Sequence, residues 1–164
     1  MGIFRSVMEF SARFGLTMRD DPVKVIDLAA RTWGEPVEWA ALSAELIPQS
    51  DRDALPSVSV VLRNIGMGPV SLTVPGWLFF LSAEVAGPDG SVALSPFGAQ
   101  LLKPERRTER IEVTLQAGTG TEARVPVGQL FGLRAAAERK ARYRVVVRCE
   151  LPSGAVVRSN EIEV

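Results

Sequence analysis

The chain has no histidine and only one cysteine, Cys149, among its 164 residues. Without histidine there is no Ser-His-Asp or Cys-His nucleophile, no histidine-bound zinc, and no imidazole base working near neutral pH. A single cysteine excludes Cys-x-x-Cys metal and redox motifs and any intrachain disulfide. Neither a Gly-x-x-x-x-Gly-Lys-Ser/Thr phosphate loop nor a Gly-x-Gly-x-x-Gly turn occurs. Net charge is zero, from 19 basic and 19 acidic residues, so the basic excess of a nucleic-acid binder is missing. No apolar run approaches the ~20 residues of a membrane-spanning helix. Aromatic residues make up 7% of the chain, and Trp33, Trp39 and Trp77 are more easily core residues than a sugar-binding platform. Chemistry on carboxylates alone remains open. Asp20-Asp21 before Pro22, or Asp51 and Asp53 around Arg52, offer oxygens of the kind Ca²⁺ takes. Turn and helix-cap roles account for both pairs more simply. The expectation is a non-enzymatic protein without metal or cofactor.

What is present is a succession of short strands. From Ala141 to Leu151, Tyr143, Val145, Val147 and Cys149 point one way, while Arg142, Arg144 and Arg148 point the other. A period of two is what a half-buried strand requires, because successive side chains leave opposite faces of the pleat. Pro152-Ser153-Gly154 turns the chain into a closing strand over 155–164. Similar patterns predict strands over 38–47, 57–63, 70–74, 77–85, 91–94, 108–115 and 122–127. Asn64 to Pro69 reads as a turn, Gly118-Thr119-Gly120 as a hairpin loop, 95–104 as a loop, and 129–133 as one helical turn. Residues 1–35 form an N-terminal extension, with a helix over 3–13 and an undecided helix or strand over 22–31.

Several of these stretches carry a resemblance. Val60-Val61-Leu62-Arg63-Asn64, Gly87-Pro88-Asp89-Gly90, Tyr143-Arg144-Val145 and Ser159-Asn160-Glu161-Ile162-Glu163-Val164 resemble bacterial immunoglobulin-like domains. The resemblance covers residues 36–164 and implies an all-β fold, an antiparallel immunoglobulin-like sandwich of seven to nine strands. It departs from antibody-type domains in lacking a cysteine pair. It implies little about function, because such sandwiches host many roles.

Candidate recognition elements lie near both ends and in the middle of the chain. Trp77-Leu78-Phe79-Phe80-Leu81 is apolar on both faces, and a sandwich strand needs only one such face. The second face, with Leu78 and Phe80, therefore calls for a cover. Ile3, Phe4, Val7 and Met8 lie on one side of the predicted N-terminal helix and either supply that cover or form a separate docking surface. Arg142, Arg144 and Arg148 would orient an acidic partner at the rim, or simply pair with Glu112, Glu150, Glu161 and Glu163 as a solvated face. The leading expectation is a module that binds another protein or its own copies. The alternatives are a protease inhibitor presenting loop 95–107 and a carbohydrate- or membrane-surface-binding module. Arginine outnumbers lysine 16 to 3, a bias associated with GC-rich bacterial genomes. With no signal-peptide pattern at residues 1–9, the cytoplasm is the expected compartment.

Overall fold

The computed structural model describes residues 28–49, 51, 53–74, 81–102 and 111–164. Among them the chain is mostly antiparallel β-structure, with two short helices. The strands are β1 (Ala40–Leu46), β2 (Val58–Asn64), β3 (Val70–Val74), β4 (Leu81–Gly87), β5 (Gly90–Ser91), β6 (Ile111–Leu115), β7 (Gly120–Val125), β8 (Arg144–Glu150), β9 (Val156–Arg158) and β10 (Ile162–Glu163). One sheet has the order β1-β2-β7. A second has the order β10-β8-β4-β5, with β9 also on β8, and β3 pairs with β6. The core takes residues from all three: Leu42, Val60 and Leu62, then Val85, Val145, Val147 and Cys149, then Leu72, Val113 and Leu115. These alternate along their strands as the sequence predicts. Exchanging any large core residue for alanine would cost about 2–5 kcal/mol.

Two turn signals play a different part from the one expected. The β2–β7 ladder ends with Arg63 opposite Gly120, and the β3–β6 ladder opens with Val70 opposite Leu115. The same two chain segments therefore pair twice. Residues 64–69 and 116–119 interrupt one long antiparallel ribbon and do not reverse it. Gly118-Thr119-Gly120 is thus not a hairpin loop. Asn64, fully buried, holds the break. Its Nδ2 donates to the carbonyls of Gly68 (2.8 Å) and Leu115 (3.0 Å), and its Oδ1 accepts from the Gly66 amide (2.9 Å). Its backbone amide donates to Thr119 O, and its carbonyl accepts from Gly118 N. Every polar group of the side chain is thereby used, as burial demands.

A second interruption joins the sheets. The closing segment splits into β9 and β10 at Ser159-Asn160-Glu161, which gives ten strands where nine stretches are expected. Ser159 satisfies both backbone groups of Val147, accepting its amide on Oγ (2.9 Å) and donating its own amide to the carbonyl (2.8 Å). Asn160 is then free to turn toward β1. Its Oδ1 accepts from Ala44 N (2.8 Å) and its Nδ2 donates to Ala44 O (3.0 Å), so a side-chain amide replaces a strand neighbour. Gly34 lies against the same seam. A Cβ there would sit 2.1 Å from the Arg158 carbonyl oxygen, so only glycine fits.

The face of β1–β2 turned away from the core is covered by residues 31–33. Arg31, whose side chain is 8% exposed, donates to Ser43 Oγ (3.2 Å), the Ser59 carbonyl (2.9 Å) and Glu45 Oε2 (3.0 Å). Ser59 Oγ in turn donates to Glu122. The Arg63 guanidinium lies over Trp33, 5.7 Å from the ring centre. Residues 28–30 make one 3₁₀ turn, which settles that end of the undecided 22–31 stretch. The expected helix over 3–13 lies outside the described residues.

The stretch 95–104 departs from the expected loop, because Pro96–Leu101 forms a helix, α1. Ser95 caps it, accepting from the Gly98 amide at 3.0 Å, and Pro96 sits at its start, where no amide is needed. Gly98 packs on the second helix, α2 (Val127–Phe131), so closely that a Cβ at this position would lie 2.2 Å from the Leu130 carbonyl oxygen. Tertiary contact therefore stabilises a helix that composition alone disfavours.

Asn160→Ala should lower unfolding free energy by about 2–4 kcal/mol in denaturant titration, because it leaves the amide and carbonyl of Ala44 unpaired. Glu84→Gln, at an exposed ion pair described below, should cost less than about 1 kcal/mol. Equal costs for the two would refute the seam.

Candidate functional site

The outer face of β8 carries the arginine stripe. Arg144 is exposed and forms no ion pair among the described residues; Arg142 and Arg148 each pair with a glutamate. Arg142 bonds Glu163 at 2.8 Å, with side chains 85% and 51% exposed. Arg148 bonds Glu84 at 2.9 Å, and Arg158 bonds the other oxygen of the same carboxylate. Glu84 on β4 thus ties β4, β8 and β9 together across the sheet surface. Of the four glutamates expected beside the stripe, Glu163 takes this role; the main partner, Glu84, is not among them. The carboxylates offset Arg142 and Arg148 locally, and exposed pairs of this kind contribute about 0.2–1 kcal/mol each.

The stripe continues into a cleft that sequence periodicity does not reveal. It lies between the end of β1, the segment 136–142 and β10, with a volume of about 540 Å³. Leu46, Ala136, Ala141 and Val164 form its apolar wall. Arg139, Lys140, Arg142 and Glu163 are its charged side chains. Arg139 is half-buried, and its Nη1 donates to the Arg134 carbonyl at 2.9 Å, a single exposed bond. The sequence does carry a signal here: residues 134–144 hold five cations (Arg134, Arg139, Lys140, Arg142, Arg144) and one carboxylate, Glu138. The other basic knot, at Lys103, Arg106, Arg107 and Arg110, lies outside the described residues, as do Ile3, Phe4, Val7, Met8, Leu78 and Phe80.

Asp20-Asp21 and Trp77 lie outside the described residues; the other candidate chemistry resolves into structure. Asp51 Oδ1 accepts from the Asp53 amide at 2.9 Å, a turn of the kind aspartate favours. Among the described residues no group of three or more acidic, cysteine or histidine side chains is placed to hold a metal. Trp33 is half-buried under Arg63, and Trp39, also half-buried, packs against the core. Among the described residues no helix is long and apolar enough to cross a membrane.

Cys149 is fully buried, and burial, with a smaller contribution from the Glu150 charge, pushes its thiol up to about 12. The thiolate is the reactive form, so the native thiol is inert. The folded state disfavours ionisation while the unfolded chain ionises near its ordinary 9.0. This contribution is complete below that pH and is lost as pH rises through the folded value. Maleimide should leave Cys149 unlabelled in the native protein at pH 8 and label it fully in guanidinium. Native labelling at the rate of a free thiol would contradict the burial.

Comparison with known proteins gives no matching family model, no matching curated protein and no matching solved structure.

Proposed function

We propose that the chain is a non-enzymatic protein-binding or assembly module built on an immunoglobulin-like β-sandwich. The resemblance at Asn64 and at Ser159-Asn160 falls on side chains that hold interrupted strands, which supports the architecture. One observation carries the functional reading: the cleft beside β10 gathers Arg139, Lys140 and Arg142 against the single carboxylate side chain of Glu163, in a chain whose net charge is zero. In sequence, residues 134–144 hold five cations and one carboxylate, and Arg148 follows on β8, where Glu84 offsets it. Complementary charge steers encounter and orients a docked partner, while apolar contacts supply most of the affinity. In this reading the apolar contacts come from Ile3, Phe4, Val7, Met8, Leu78 and Phe80, and Arg142, Arg144 and Arg148 stand at the rim. The inhibitor alternative is weakened over 96–101, where a helix replaces the extended loop that a protease would require.

The full chain, purified from its host, should retain a protein partner or self-associate at defined stoichiometry by sedimentation. A chain lacking residues 1–20 should lose that association. Identical sedimentation of a monomeric full chain and its truncation, with no partner retained by either, would refute the reading.

A further inference from the structure

The cleft beside β10 has a composition that specifies its occupant more narrowly than the surface around it. Glu163 neutralises Arg142 at 2.8 Å, while Arg139 and Lys140 form no ion pair among the described residues. The bond to the Arg134 carbonyl uses one donor of Arg139 and leaves the others for a carboxylate. Behind these charges lies an aliphatic wall of Leu46, Ala136, Ala141 and Val164, and Leu46 is 37% exposed. A volume of about 540 Å³ lies within the range of small-ligand pockets, room for a few side chains.

We propose that this cleft receives an acidic, amphipathic segment of a protein partner. The proposal rests on the protein-binding reading above and names the partner's chemistry. Carboxylates of the segment meet Arg139 and Lys140, and an aliphatic side chain between them lies on the wall at Leu46 and Ala141. A phosphate polymer fits less well. Its charge is denser than the two unpaired cations can match, and Glu163, together with Glu138 beside Arg139, repels it. A neutral apolar segment would fill the wall but leave the two cations unmatched.

The test uses the full chain and a synthetic peptide alternating aspartate pairs with leucine. Its controls are the same peptide with asparagine in place of aspartate and an oligothymidylate. At low salt the aspartate peptide should shift backbone amide resonances within 136–142 and 162–164. Arg139→Glu combined with Lys140→Glu should weaken it by about tenfold or more. Arg124→Glu, on β7, should leave affinity unchanged. The thermal transition of each variant verifies folding, and Lys140→Ala alone, at an exposed position, serves if the double variant fails to fold; it should weaken binding severalfold. Equal affinity for the asparagine peptide, tighter binding of oligothymidylate, or undiminished binding by the folded variants would overturn the proposal. So would the absence of amide shifts at millimolar peptide. A natural partner retained by the charge-reversed chain but lost on deletion of residues 1–20 would refute the cleft and leave the module reading standing.

Discussion

Buried backbone amides and carbonyls must find partners, and this fold depends on how that requirement is met where its strands break. A continuous ladder meets it automatically. Here the ribbon of β2–β3 against β6–β7 is interrupted, and the closing segment is split between β9 and β10. At each break a small polar side chain takes the place of the missing ladder. Asn64 holds both sides of the ribbon, and Ser159-Asn160 satisfies Val147 on one side and Ala44 on the other. The sheets can therefore bend without leaving backbone groups unpaired, and the shared core forms between them.

Much of this architecture is legible in the sequence. Sequence pattern places β1, β2, β3 and β7 within two residues of their ends and β8 within three; in β8 one buried face imposes a period of two. The interruptions are visible only as turn residues. Asn64 to Pro69 and Gly118 to Gly120 have turn chemistry, but whether a chain reverses there depends on which strand waits beyond. That information is not local. Helix α1 escapes a sequence reading for a related reason. Pro96 and Gly98 signal a loop by composition, yet Pro96 is suited to a first helical turn and Gly98 is needed for contact with Leu130.

The candidate surface is partly legible. The outward direction of Arg142, Arg144 and Arg148 follows from the pleat. Their partners do not, since Glu84 lies 64 residues from Arg148 in sequence and meets it only through the β4–β8 register. The cleft is harder still. Arg139 and Lys140 belong to no strand, and their setting is created by Leu46 and Glu163 arriving from distant parts of the chain. Counting charges over 134–144 singles out the segment, though not its aliphatic wall.

The outer margin of β1 has a further consequence. Ala40 exchanges both backbone hydrogen bonds with Val37, Leu42 O accepts from Gly34, and Ala44 is held on both sides by Asn160. From Ala40 to Ala44 this margin has little left to offer an incoming strand, which is how natural sheets avoid fusing edge to edge. Along Ala40–Ala44 a protein that binds beside β1 gains little by lengthening that sheet through main-chain pairing, a mode largely indifferent to sequence. It must be recognised by its side chains, so selectivity on this flank is set by the partner's own residues.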